Sequence, residues 1–160
     1  MGKGLLVNTM VHGSLSLSRD ANHPYELAKH YLCKDSMQRQ LFNRFEHAPK
    51  RSYTLHIVHD GNDHFDPNSD SVFWDPTSAL RTTNGGHQSP ALGLAHEIDH
   101  AVERRSTFSR LDNMRNGAYD NDEERRVIKG SERHAAATFG ESIRTNHGGS
   151  LYRVVGPCQR

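Results

Sequence analysis

Ser89-Pro90-Ala91-Leu92-Gly93-Leu94-Ala95-His96-Glu97-Ile98-Asp99-His100-Ala101-Val102 is the stretch on which the reading of this chain turns. Serine is a helix-capping residue: its side-chain oxygen can take an orphan amide of the first turn. Proline suits the first helical position, where no amide partner is lost. The run that follows is small and apolar, and Leu94, Ile98 and Ala101 lie on one side of it. The stretch predicts a buried helix over 89–102.

Inside that helix, His96-Glu97-Ile98-Asp99-His100 has the pattern His-Glu-x-x-His. Residues four apart share a helical face, so both imidazoles can hold one Zn2+ through ring nitrogens. Glu97 stands next to the first ligand, placed to take a proton from a water that the metal acidifies toward a pKa of about 7. Asp99 would either orient a ligand histidine from behind or stand as a solvated carboxylate. The plainer reading is an amphipathic helix with surface His, Glu and Asp. The apolar turns before the motif weigh against it.

Two histidines leave a tetrahedral site short of a ligand. A third histidine six residues beyond His100 is missing, because Ser106 stands there. Glu103 shares the face but sits roughly 10 Å along the axis from His96 at 1.5 Å per residue, too far to close the same tetrahedron. A glutamate on a later helix remains. Glu132, opening Glu132-Arg133-His134-Ala135, is the first choice, because Ala135, Ala136 and Ala137 would let that helix come close. Glu141 is the second choice and Glu124 the third; His134 and His147 are weaker candidates. Tyr152, or else Arg144 or His147, could donate to an oxyanion. A core tyrosine is an equally good reading of Tyr152.

Working outward, Asn22-His23-Pro24 reads as a helix start followed by Tyr25, Leu27, Ala28, Tyr31 and Leu32. Asp35 or Ser36 caps a second helix carrying Met37, Leu41, Phe42 and Phe45, closed by Pro49. Tyr53–His59 and Ser71–Asp75 read as strands, plausibly a hairpin with a long polar connection. Strand 71–75 would offer an edge for an extended substrate, and Trp74 would line the cleft or sit in the core. Residues 77–88 and 103–121 read as loops, the Glu103-Arg104-Arg105 run as a solvated helix end. A last helix spans about 122–139 with a break near Gly130, and a strand follows at 151–155. Residues 1–21 read as a mobile lead-in. The expected class is α+β in one domain: a short antiparallel sheet, an active-site helix and a following helix that gives a Glu ligand.

Composition narrows the function. The chain has 160 residues, 34% hydrophobic, with 20 Lys and Arg against 19 Asp and Glu, a formal charge of +1. That balance gives no support to a nucleic-acid partner held by bulk charge, and a metal nuclease would want a basic groove. No apolar run approaches the ~18 residues of a membrane span. Leu5-Leu6-Val7 is too short for a signal h-region of roughly 7–15, so no cleavable signal peptide is expected; Leu6 also stands where a myristoylation signal wants Ser or Thr. Cys33 and Cys158, far apart, read as reduced or incidental thiols, with a single bridge as the alternative if the C-terminal tail folds back. The high count is histidine, at 12.

Several blocks then fall in a familiar order: Trp74-Asp75-Pro76, Gly85-Gly86-His87-Gln88-Ser89-Pro90-Ala91-Leu92-Gly93-Leu94-Ala95-His96-Glu97, Glu123-Glu124-Arg125-Arg126-Val127-Ile128, Gly140-Glu141-Ser142-Ile143-Arg144 and Tyr152-Arg153. Over about residues 70–160 this resembles the NleD/HopH-type effector zinc metallopeptidases, and more closely the C-terminal protease domains of type VI secretion VgrG spike proteins. The segment after Gly140 departs from the effector pattern, in which an Asn follows the Glu. The resemblance implies a zincin-like fold, and zinc on His96, His100 and a downstream Glu, with Glu97 as base. It implies a bacterial effector or toxin delivered by a dedicated secretion system, cleaving a protein in a target periplasm or host cytosol, with a cognate immunity protein as a further partner. The alternative function is a non-catalytic, zinc-stabilised binding module, for which Glu97 would have no use.

Overall fold

Every residue of the helix Pro90–Val102 is buried except Gly93. A helix without a wet face must be wrapped on all sides. The computed structural model describes residues 10–160. In chain order the wrapping elements are β1 (Met10–His12), β2 (Leu15–Leu17), α1 (Arg19–Leu32), α2 (Ser36–Glu46), β3 (Tyr53–Ile57), β4 (His64–Asp66), β5 (Ser71–Trp74), β6 (Ser78–Thr82) and β7 (His87–Gln88). The buried helix is α3 (Pro90–Val102). After it come α4 (Arg105–Asp112), β8 (Arg115–Asn116), β9 (Asp120–Asn121), α5 (Asp122–Val127), a π-helical turn (Ile128–Glu132), α6 (Arg133–Phe139) and β10 (Gly149–Arg153). The class is α+β.

One sheet has the order β1-β2-β3-β5-β4, and a second runs β10-β6-β7. In the first, β2, β3 and β5 are parallel neighbours, and β4 closes the edge antiparallel to β5. This corrects the expected antiparallel hairpin of 53–59 with 71–75. The turn after Asp66 makes β4 and β5 the hairpin, and the chain leaving β3 passes β5 to reach β4. The edge is therefore β4, and the strand at 71–75 lies inside the sheet. Alternation sends Tyr53, Leu55, Val72 and Trp74 into the core. The outer face carries His56, Phe73 and His64, stacked across three strands at centroid spacings of 4.8 and 4.6 Å.

Of the expected lead-in, residues 1–9, with Leu5-Leu6-Val7, lie outside the described residues. The rest folds: Leu15, Leu17 and Ala21 have no exposed surface. Leu-Ser-Leu is too short a run for its period of two to be legible. Helix α1 begins at Arg19 and takes Pro24 into its interior. Two expected loops are also structured. Residues 78–88 form the β6–β7 hairpin, turned at Gly85 with φ +88. The 103–121 segment holds α4 and the β8–β9 pair. There Glu103 is the C-cap of α3, while Arg105 and Arg51 both pair with Asp70. The strand expected at 151–155 lies two residues earlier, so Tyr152 pairs with Ala79. The expected break does fall at Gly130, at φ −99 and ψ −107 inside the π-helical turn. Cys33 and Cys158 are free.

Both ends of α3 are tied down. At its start Ser89 caps the Leu92 amide, and Trp74 donates its indole N–H to the Pro90 carbonyl at 2.8 Å. At its end the unpaired carbonyls of Ala101 and Val102 accept from Tyr53 Oη at 3.0 Å and Arg44 at 2.6 Å, and that of Glu103 accepts from Arg51 at 3.1 Å. Cations there also suit the negative end of the helix dipole. Helix α3 is thus a fixed rod on which side chains can be aimed.

Candidate metal centre

One turn of α3 brings His96 and His100 together, with Nε2 facing Nε2 at 2.9 Å. Glu124 closes the group: one oxygen lies 2.8 Å from His96 Nε2, the other 3.3 Å from His100 Nε2. These three residues form the only group of metal-ligating side chains among the described residues whose donor atoms all lie within 4.8 Å of one another. Glu124 stands in the first turn of α5, fixed by the Asn121 cap, whose side chain accepts the Glu124 amide at 2.8 Å.

The far ring nitrogens are equally constrained. His96 Nδ1 meets Glu132 at 2.7 Å, and His100 Nδ1 meets Glu123 at 3.0 Å. Each of these carboxylates is clamped by a guanidinium: Arg144 holds Glu132 through two nitrogens, and Arg126 holds Glu123. Arg126 also reaches Asp99 at 2.8 Å. When Nδ1 donates to a carboxylate, Nε2 becomes the lone-pair nitrogen, which fixes the tautomer a metal ligand needs. Two such lone pairs at 2.9 Å repel each other unless positive charge lies between them.

The charges agree. Asp99, Glu103, Glu123, Glu124 and Glu132 form one network with only Arg126 and Arg144 as permanent cations, and His147 ties Asp120 to it. The carboxylates outnumber the permanent cations. Burial acts to lower the two imidazoles, yet their carboxylate partners outweigh it, holding His96 up to about 10 and His100 up to about 9. Burial likewise opposes ionisation of Glu124 and Glu132, and their histidine and arginine partners keep both far below the usual carboxylate range. One divalent cation supplies the same charge as two imidazolium protons. Two imidazoles and a carboxylate suit Zn2+, so the donor set and the charge both fit the metal.

Two cavities flank the centre. One, of about 280 Å³, lies between α3 and the β6–β10 sheet; the other, of about 210 Å³, lies under β4 and α4. Asp63, Glu97 and His147 line both. Glu97 accepts no hydrogen bond among the described residues, and its carboxylate is therefore free for chemistry. His147 Nδ1 is held by Asp120, its Nε2 lies 3.3 Å from Glu124, and its ring stacks over His96 at 6.3 Å. Asp63 accepts the Asp75 amide at 2.7 Å, and burial, helped by the charges on Glu97 and Asp75, pushes it up to about 8.

Several expected roles change. Glu132 is not beside the metal-facing nitrogens: it lies behind His96, on Nδ1, because the π-helical turn sets it two turns beyond Glu124. Glu141 is consumed at the start of α3, where it accepts from the Ser89 amide at 2.7 Å and Ser89 hydroxyl at 2.8 Å. Tyr152 points out of the site. Alternation along β10 puts Leu151 in the 280 Å³ cavity and sends the Tyr152 hydroxyl to His87 at 2.8 Å on the other face. Asp99 touches Arg126 and Ser131 and reaches His100 only through Arg126 and Glu123. Trp74 is core, and His134 pairs with Asp35 at the surface. Asp63 and Glu123 went unrecognised. The adjacent pair Glu123-Glu124, one for each side of an imidazole, was the available signal for the latter.

Comparison with family models, curated proteins and solved structures gave no match to the chain.

Proposed function

We propose that the protein is a zinc-dependent endopeptidase of zincin-like construction. The observation that carries this reading is the convergence of His96 Nε2, His100 Nε2 and the Glu124 carboxylate, with Glu123 and Glu132 behind the rings and an unbonded Glu97 facing the cavities. When bound, Zn2+ would acidify a water and polarise a substrate carbonyl. The chain's own residues do the rest. Glu97 takes the proton from the water and delivers it to the departing amine. His147, its Nδ1 held by Asp120, walls the cleft beside Glu124 and His96. Arg144 is spent on Glu132 and acts by fixing His96. An extended peptide would add to β4, the open edge beside α3.

The effector role rests on the likeness of residues 70–160 to secreted metallopeptidase domains. In that role the protein is a toxin passed by a secretion system into another cell, cutting a protein there and held in check by an immunity protein in the producer. No helix among the described residues is long and apolar enough to cross a membrane.

The test combines metal analysis with proteolysis of a mixed peptide library. The expected result is one Zn2+ per chain, lost in His96→Ala and Glu124→Gln, with cleavage abolished in Glu97→Gln at full zinc content. Zinc bound without any cleavage by the wild-type protein would favour the binding-module alternative.

A further inference from the structure

Asp63 has no part in the chemistry above, yet it lies at the junction of the two cavities, next to the proposed base. One of its oxygens is committed to the Asp75 amide. The other faces α3 at Gly93, one turn before Glu97; a Cβ built on Gly93 would stand 3.0 Å from it. Among the described residues, no lysine, arginine or histidine forms an ion pair with Asp63. Arg144, the guanidinium of this cavity, is already bound through two nitrogens to Glu132. The second oxygen of Asp63 thus stands in the cleft with no cationic partner among the described residues, open to a cation from outside the chain.

The cavity walls indicate what shape that something has. Leu80 and Leu151 form an apolar side opposite α3, and Leu151 is 55% exposed at the mouth. Glycines keep the space open: a Cβ on Gly61 would meet Leu151 at 2.6 Å, and one on Gly149 would meet Leu80 at 2.6 Å. A long side chain with an aliphatic stem and a charged tip matches apolar walls that lead to a half-buried acid.

We infer that Asp63 is a specificity residue that anchors a positively charged group of the substrate beside the scissile bond, with a lysine or arginine side chain as the group that fills the cavity. The inference rests on the peptidase reading of the same site. Two sources share this chemistry, a basic side chain and a free peptide N-terminus, and blocked peptides separate them.

The experiment uses the zinc-loaded full chain and a peptide library in matched pairs, Lys against norleucine and Arg against citrulline, with free and acetylated N-termini. Wild-type protein is expected to favour the charged member by about 10- to 100-fold in kcat/KM, the range of one hydrogen bond to a charged group, and to do so with acetylated peptides. Asp63→Asn keeps the acceptor for the Asp75 amide and should erase the preference while still cleaving neutral peptides. Gly93→Ala, which crowds the free oxygen, should weaken the preference in the same direction and is the second variant should Asp63→Asn fail to fold. Binding of n-butylguanidinium by calorimetry provides a readout without turnover: it should be measurable in wild type and at least tenfold weaker in Asp63→Asn. Cleavage with no charge preference, or an equal preference in Asp63→Asn, overturns the inference and leaves the peptidase reading standing. A preference found only with free N-termini overturns the side-chain assignment. Asp63-dependent n-butylguanidinium binding without any peptide cleavage supports the anchor and overturns the peptidase reading.

Discussion

Helix α3 is held on its two sides by different physics. On one side α1, α2 and the first sheet press apolar surface against it: Tyr25, Ala28 and Leu32 from α1, Phe42 and Phe45 from α2, Leu55, Val72 and Trp74 from the strands. On the other side α5 and the segment after it present Glu123, Glu124, Arg126, Glu132 and Arg144, and almost every contact is a charged hydrogen bond. Apolar packing is non-directional and tolerant; it fixes where the rod lies. The charged side is directional and intolerant; it fixes where two imidazole rings point. The first side needs nothing from outside the chain, whereas the second holds more carboxylates than permanent cations until a metal or protons arrive.

Glu97 belongs to neither side, and its removal should separate chemistry from support most sharply. Glu97→Gln is expected to lower peptide cleavage by about 10²–10⁴-fold with zinc content and melting temperature unchanged. A concomitant loss of zinc would mean that Glu97 helps hold the centre together. Next in size is the apolar side. Phe45→Ala should cost about 3–5 kcal/mol of stability in denaturant unfolding, while the zinc affinity of the molecules that remain folded stays at the wild-type value. A parallel fall in affinity would show that the two sides are not independent.

On the charged side, Glu132→Gln and Glu123→Gln each should weaken zinc binding about 10- to 100-fold, the usual range for a partner behind a ligand histidine. Glu124→Gln should weaken it further than either. If competition titration ranked Glu132→Gln as the most damaging of the three, the ligand set would have to be redrawn around Glu132. Chelation should lower the melting temperature of wild type, because a metal held by the folded state alone would stabilise it, and should leave Glu124→Gln unmoved. The smallest effect is expected at the cap: Ser89→Ala should destabilise by about 1 kcal/mol and leave the zinc affinity within twofold.

The same division explains what could be read from the sequence. Helix 89–102 was legible because capping, proline and an apolar run all act over neighbouring residues. His96, Glu97 and His100 were legible because four-residue spacing is a local property. The carboxylate that joins the two imidazoles was not, since it depends on how far a later helix is rotated, and the kink at Gly130 alters that rotation. On sequence alone the small residues after Glu132 favour it over Glu124. The strand order failed for a similar reason: nothing local distinguishes a β3–β5 hairpin from a parallel pair with β4 outside it. Asp63, in an Asp60-Gly61-Asn62-Asp63 stretch that reads as turn chemistry, becomes notable only when the fold sets it against Gly93.

The kink at Gly130, non-helical at φ −99 and ψ −107, has a consequence for how this centre tolerates length changes. It joins two helices between Glu124 and Glu132. Deleting one residue there would turn everything beyond it by about 100° of helical rotation, swinging Glu132 away from His96 while Glu124, upstream, stays in place. Grip and aim are therefore coded on opposite sides of a single indel site. A variant that lost Lys129 or Gly130 would keep His96, His100 and Glu124 together and lose the Glu132 tether that orients His96.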